Sequence, residues 1–566
     1  MLVRRFATRG DRQQHGSWHA TMTNTINTSA ATGSTPAAAS TNRARKASRS
    51  AEAKLQELKE RLLEISDLAA TAAVLSWDQA TYMPREGTEA RARQCSFISR
   101  LAHERRTDPD LGRLLDRLRA YGESLPNDSN DARLIAVTCR DFEKAVRVPA
   151  SFVGRQSALG AASYDAWKRA RPSNDFATMR PYLERALELT REYFEFFAPY
   201  RHIADPLIDD MDEGMTYASV RSLFSELRRE LLPIVRDICD QPRVDDRCLR
   251  GSFAEGPQLE FGLAVATAFG YDLERGRLDK TPHPFCTKFS AGDVRITTRV
   301  DSSDVTQALF STLHEAGHAL YEQGVAAELA DTPLGWGTSA GVHESQSRLW
   351  ENVVGRSLGL WNHFYPELQK NFPERLANVP VDTFYRAINK VERSLIRTDA
   401  DEVTYNLHII LRFDLEIEML EGKLAVADLP EAWRARYQSD LGVSPPDDRD
   451  GCLQDVHWYS GGVGGAFQGY TIGNVLSAQF YRAALHAHPE ISEEIRKGEF
   501  GTLKGWLNEN LYRHGRKFKP DEIVRRATGE AMTTEPYVAY LRSKYGELYH
   551  LSSPVPRTVD RTGDDL

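Results

Sequence analysis

From Ala51 onward, apolar and polar positions alternate along the chain with the period of a helix. Leu55, Leu58, Leu62 and Ile65 recur at steps of three and four, the spacing that lines one face of a 3.6-residue turn. The stripe returns near Leu183 to Phe194, Val220 to Ile234, Phe384 to Ile396 and Val403 to Ile417. Each predicts an amphipathic helix. Strand-like alternation is scarce. In "DVRITTRV", Val294, Ile296, Thr298 and Val300 share one face, and Arg295, Thr297 and Arg299 the other. The preceding "HPFCTKFSAGD" holds Gly292, and with Asp293 it suits a turn, so a short hairpin is expected. The fold class read from this pattern is mostly α, one large helical domain over 51–550 with a small β-hairpin or sheet.

Residues 1–50 carry almost no large apolar side chains, which predicts a disordered tail. Arg4, Arg5, Arg9, Arg12, Arg43, Arg45, Lys46 and Arg49 face a single acid there, Asp11. That pattern resembles an organellar transit peptide; an over-extended start, with Met22 as the first residue, reads equally well. Residues 551–566 are expected to form a flexible C-terminal tail.

Composition then removes several functions. A formal charge of −8 argues against a dedicated nucleic-acid binder. Apolar runs fall short of the roughly 18 residues that a membrane helix needs. The six cysteines (Cys95, Cys139, Cys239, Cys248, Cys286 and Cys452) form no CxxC pair. They fit buried small hydrophobes in a reducing, cytoplasmic setting.

The chemistry concentrates in "SSDVTQALFSTLHEAGHALYEQG". Ser302, Ser303 or Asp304 can cap this helix, and Gly324 suits the position just past its end. Positions i and i+4 share a face, so His314 and His318 point the same way. Glu315 is rotated about 100° from His314 and reaches a water beside the ion without ligating it. This is the HExxH arrangement, with two imidazoles for zinc and a carboxylate for a proton. By chance alone it arises in about one such chain in thirty, so the surroundings must decide. A catalytic zinc takes three protein ligands. Glu344 in "GWGTSAGVHESQSRLWENVVGRSLG" is the best candidate for the third, near the start of a second expected helix carrying Leu349, Val353 and Leu358.

The chain resembles the carboxypeptidase Taq family of zinc metallocarboxypeptidases. The resemblance rests on "LSWDQATYMP" (75–84), "HPF" (283–285), "DVRIT" (293–297), "HEAGH" (314–318), "HESQS" (343–347), "IRTDAD" (396–401) and "GCLQDVHW" (451–458). It implies zinc on His314, His318 and Glu344, with Glu315 as base and later proton donor, and cobalt as a possible substitute metal. Arg397 would meet the free carboxylate of a peptide substrate, as a guanidinium does with two parallel hydrogen bonds. Tyr470 and His457 are candidates for hydrogen bonding to the oxyanion, and His283 for lining the substrate pocket. Asp293 and Arg295 are expected to form an internal ion pair. A deep substrate groove and a homodimer are implied as well.

Departures gather after "DVHW". Where the family runs GxxGYFPTY, this chain reads "YSGGVGGAFQGY", with Ala466 for Tyr and Gln468 for Pro, while Tyr470 is kept. Tyr437 is kept too, whereas Asp440 replaces an aromatic. These positions bear on residue preference, not on the metal. "SGGVGG" lacks the Gly-Lys-Ser/Thr ending of a phosphate loop and reads as an active-site loop. Two rivals stay open: an oligopeptidase or endopeptidase of the same helical class, and a peptide-binding protein with structural zinc.

Overall fold

A computed structural model describes residues 36–459 and 462–551, with side chains from Ser50 onward. The chain divides into two units, Met1–Glu52 and Ala53–Leu566. Of the first, the described residues 36–52 are helical. Residues 1–35 of the expected disordered tail lie outside the described residues, as do 552–566 of the expected C-terminal tail. Residues 36–50 open the helix Pro36–Thr81. Pro36 suits a first helical position, and the alanines, arginines and lysine that follow are strong helix formers.

The described residues of the second unit are mostly helical, with one three-stranded sheet among them. Apolar side chains gather in two clusters. The smaller joins Leu55, Leu58, Leu62 and Ile65 to Leu111, Leu115 and Leu118 of helix Pro109–Ser124, and to Leu134 and Ile135 of helix Asn130–Ala145. Val325, Leu329 and Leu334, which follow the HEAGH helix, complete it. Leu58 and Leu118 are fully buried, and each such leucine contributes about 1.5–3 kcal/mol. The larger cluster holds the stripes of the Phe176–Glu195, Tyr217–Cys239 and Tyr405–Leu420 helices, as their periodicity predicts. Among the described residues no helix is long and apolar enough to cross a membrane.

The sheet contains the expected hairpin and one strand more. β1 (Leu278–Lys280), β2 (Cys286–Ser290) and β3 (Asp293–Thr298) lie in the order β1-β3-β2. β2 and β3 pair antiparallel, with Cys286 opposite Ile296 and Lys288 opposite Val294. β1 runs parallel to β3, with Leu278 opposite Ile296; three residues show no period, so the sequence did not announce it. Val300 falls beyond the strand, because the chain leaves the ladder at Thr298 to reach Asp304 and the next helix. Asp293 and Arg295 are ion-paired at 2.7–2.8 Å. The Arg295 guanidinium also sits 4.3 Å from the Trp77 ring and 4.9 Å from that of Phe289. It ties the end of the first helix to the sheet.

Three helix boundaries differ from the periodicity. The Phe384 to Ile396 stripe forms a helix only over Val381–Ile388. Beyond it, side chains take over the backbone: Asn389 donates to the Tyr385 and Arg356 carbonyls, and the Tyr549 hydroxyl accepts from Val391 N–H at 2.8 Å. The HESQS helix is short, Ala340–Arg348, and passes into a π-helical turn, Leu349–Val354. Leu358 starts a separate helix capped by Ser357. Gly324 ends the HEAGH helix instead of following it. Its role is close approach, since a Cβ there would lie 2.6 Å from Tyr512 Cβ.

Candidate metal centre

The HEAGH helix, Val305–Gly324, starts where Asp304 accepts from Thr306 N–H at 2.8 Å. It packs against helix Glu255–Phe269, β3 and the HESQS helix. Gly317 lies between its two histidines. A Cβ there would sit 2.5 Å from the Gln346 carbonyl oxygen and 2.6 Å from Ser347 Cα, so only glycine lets the HESQS helix come this close. Gly473 of helix Gln468–Ala487 does the same from the other side, where a Cβ would lie 2.4 Å from Glu344 Cγ. Two glycines thus set the position of one glutamate.

The three expected ligands converge. Glu344 Oε2 lies 3.5 Å from His318 Nε2 and 3.8 Å from His314 Nε2. One donor atom from each residue falls within 4.8 Å of the others. Donors about 2.0–2.1 Å from a tetrahedral ion stand roughly 3.3–3.4 Å apart, so the two Glu344 separations lie within a few tenths of an ångström of those a small cation takes. Glu344 Oε1 accepts from Arg348 Nε at 2.6 Å, which leaves Oε2 alone facing the imidazoles. His314 Nδ1 meets Glu351 Oε2 at 2.8 Å; in the neutral ring that bond keeps the proton on Nδ1 and the lone pair on Nε2. Nδ1 of His318 is buried and has no hydrogen-bond partner among the described residues. Its ring stacks instead on His343, 4.6 Å away and 22° from parallel, and His343 is anchored by Glu322 at 2.9 Å.

The charges describe a site that wants a cation. Burial pushes His314 down, but Glu344 and Glu351 reverse it and raise the imidazole to about 9. A proton there does part of a metal's work. Burial, with the like charges of His343 and His314, lowers His318 to about 4 despite Glu344. Burial raises Glu315 to about 7, with Glu344 and Glu351 adding to it and His314 opposing.

The other expected residues form a second group. Arg397 lies in a single 3₁₀ turn, not on a helix surface, and its side chain is 9 % exposed. Its Nε donates to Asp455 Oδ2 at 2.6 Å and its Nη1 to the Tyr405 hydroxyl at 3.0 Å. His457 Nδ1 is hydrogen-bonded to Asp455 Oδ1, and Nε2 lies 3.1 Å from the Tyr470 hydroxyl. Burial raises the Tyr470 phenol, so it stays protonated. Tyr470 lies one turn before Gly473, hence on the face that meets Glu344. His283 is exposed; partial desolvation and the charges of His457 and Arg397 lower its imidazole, which brings it into this group's field.

Sequence reasoning passed over four side chains: Arg348 and Glu351 beside the ligands, and Asp455 and Arg412 beneath Arg397. Asp455 lies inside "GCLQDVHW", two residues before His457.

A helical scaffold, two imidazoles and a carboxylate converging on one point, and a buried carboxyl alongside define a metal-dependent hydrolase. Comparison with known proteins narrows this class. The profile of the carboxypeptidase Taq (M32) metallopeptidases matches residues 57–545. Thermostable carboxypeptidase 1 of Thermus thermophilus is 42 % identical over 513 residues, covering 88 % of this chain and 99 % of its own. The crystal structure of an M32 carboxypeptidase from Deinococcus radiodurans R1 has a TM-score of 0.85 at 52 % identity, covering 88 % of this chain and 100 % of that one. Trypanosoma cruzi metallocarboxypeptidase 1 has a TM-score of 0.82 at 29 % identity, covering 88 % and 99 %. The chain belongs to the carboxypeptidase Taq family, and it is a metallocarboxypeptidase.

Proposed function

We propose that the metal is zinc, held by His314, His318 and Glu344, and that the enzyme releases single amino acids from peptide C-termini with Glu315 as its base. The observation that carries this reading is the convergence of the three donor atoms beside a buried glutamate whose pKa sits near neutrality. A zinc ion held by this donor set supplies a Lewis acid that polarises the scissile carbonyl and acidifies a water. Glu315 accepts the proton of the attacking water and later returns it to the departing amine. A cation beside Glu315 favours its ionised form, which is the form a base needs. Tyr470, with His457 behind it, donates to the tetrahedral oxyanion. Arg397 grips the terminal carboxylate, and His283 lines the pocket on the same side.

A cavity of about 460 Å³ is lined among others by Ile65, Phe142, Tyr193, Trp336 and Arg516. Trp336 precedes Gly337, whose N–H donates to Glu322 Oε1 at 3.1 Å; Glu322 is also the anchor of His343. Six free thiols support a reducing, cytoplasmic setting, and the family resemblance supports a homodimer.

Glu315→Gln tests the mechanism. The variant should bind one zinc per chain and lose about 10²–10⁴-fold in kcat; unchanged turnover would remove Glu315 from the reaction. Cobalt exchanged into the site should restore hydrolysis to the parent and leave the variant inactive.

A further inference from the structure

Asp455 is 7 % exposed and meets three partners at once. Oδ2 accepts from Arg397 Nε at 2.6 Å and from Arg412 Nε at 3.2 Å. Oδ1 is hydrogen-bonded to His457 Nδ1 and lies 3.5 Å from Arg397 Nη2. The preceding Gln454 braces the same groups, because its Oε1 accepts from the Arg397 backbone N–H at 3.0 Å and from Arg412 Nη2 at 2.8 Å. Its amide donates to the Leu395 carbonyl at 2.9 Å. The carboxylate therefore sits in a frame that lets neither Arg397 nor His457 turn independently.

A guanidinium carries five N–H bonds in one plane. Asp455 occupies the side edge of Arg397, and Tyr405 takes one N–H from Nη1. Two remain, one on each terminal nitrogen, and among the described residues neither has an acceptor. The one on Nη2 lies on the terminal edge, where a second carboxylate can accept from it. Asp455 thus fixes the direction in which that edge faces. Through its other oxygen it holds His457 by Nδ1, which leaves Nε2 turned to the Tyr470 hydroxyl.

We propose that Asp455 is a positioning residue that couples recognition of the substrate's terminal carboxylate at Arg397 to alignment of the His457–Tyr470 pair at the oxyanion. The inference rests on the roles proposed above for Arg397, His457 and Tyr470. A carboxylate arriving on the terminal edge of Arg397 shares the guanidinium charge with Asp455. It weakens the Arg397–Asp455 bond and leaves more of the Asp455 charge to the His457 Nδ1–H bond. Binding at the chain end then stiffens the donors that act at the scissile bond. A free C-terminus raises kcat as well as lowering KM.

The test is a double-mutant cycle in the full-length, metal-loaded enzyme. Arg397→Gln, His457→Ala and the double variant are compared on a free-acid peptide and its C-terminally amidated twin, with metal content measured for each. Arg397→Gln should lower kcat as well as raise KM on the free acid, and the double variant should lose less than the product of the single losses. The expected coupling is about tenfold on the free acid and within twofold on the amide. In Asp455→Asn, the coupling should vanish. Losses that multiply within twofold in the parent background, or a coupling that persists in Asp455→Asn, overturn the proposal. Should Asp455→Asn fail to fold, the parent cycle decides alone. If Arg397→Gln harms both peptides equally, the assignment of Arg397 itself falls. If it is selective for the free acid and the cycle still multiplies, only the Asp455 coupling falls.

Discussion

Gly317→Ala isolates the geometry that builds the metal centre. The substitution adds one methyl between the two histidines and touches no ligand. That methyl would lie 2.5 Å from the Gln346 carbonyl oxygen and 2.6 Å from Ser347 Cα, where ordinary contact begins at 3.4 Å. Both neighbours are backbone, so no rotamer change relieves the overlap. The HESQS helix must retreat by about 0.8–0.9 Å, and Glu344, less than one turn away, retreats with it. Metal–ligand distances tolerate about 0.2 Å. A shift of that size takes Glu344 out of reach of an ion bound by His314 and His318.

Stability should change little by comparison. Overpacking costs about 1–3 kcal/mol, and alanine in a helix interior recovers up to about 1 kcal/mol over glycine, leaving a loss of about 0–2 kcal/mol. Zinc affinity, measured by chelator competition, should fall at least 10–100-fold, the range seen when support for a ligand is lost. Gly505→Ala is the control. Its site is exposed and helical, with nothing within 4 Å of an added Cβ, so it should raise stability in urea by up to about 1 kcal/mol and leave zinc untouched. Wild-type zinc affinity in Gly317→Ala would refute the claim that this contact positions Glu344.

Metal affinity should depend on pH through His314, whose imidazole stays protonated up to about 9 without a cation, while His318 is neutral above about 4. Each ion then displaces a proton from His314, and below about pH 7 it also favours loss of the Glu315 proton, so zinc affinity should rise at least tenfold per pH unit between roughly pH 5 and 8; a flat profile by calorimetry in two buffers of different protonation enthalpy would contradict this. Glu351→Gln keeps the hydrogen bond to His314 but removes a charge that raises its pKa. The break in that profile should move to lower pH, and zinc affinity should drop about tenfold. Tyr470→Phe removes one oxyanion donor and should cost about 10²-fold in kcat with metal content and KM little changed; a loss confined to KM would make Tyr470 a binding residue.

Helix periodicity made the scaffold legible where one face of a helix meets the core, as in Leu55–Ile65 or Val403–Ile417. It failed where side chains satisfy the backbone instead. Asn389 and Tyr549 end the helix after Ile388 by hydrogen bonds that no local pattern announces. β1 is three residues long and is held by its parallel neighbour, so a period of two has no room to appear. At the metal centre, i and i+4 spacing brought His314 and His318 together without help from tertiary structure. Glu344 was legible only as the best of many acids, because a loop and a turn of helix separate it from the histidines.

What the sequence hid most completely is the purpose of the letters between the reactive ones. In "HEAGH", Gly317 contributes only the absence of a Cβ, yet it lets Glu344 approach. In "GCLQDVHW", attention goes to the histidine, while Gln454 and Asp455 take hold of Arg397 and Arg412 more than forty residues upstream. A buried carboxylate facing two guanidiniums is costly unless every partner is in place. Burial pushes Asp455 up, and Arg397, His457 and Arg412 together hold it well below the usual carboxylate range. Loss of any partner strands charge in the interior, so the "IRTDAD" and "GCLQDVHW" segments act as one unit. A substitution in either segment is therefore expected to register at both ends of the bound peptide bond.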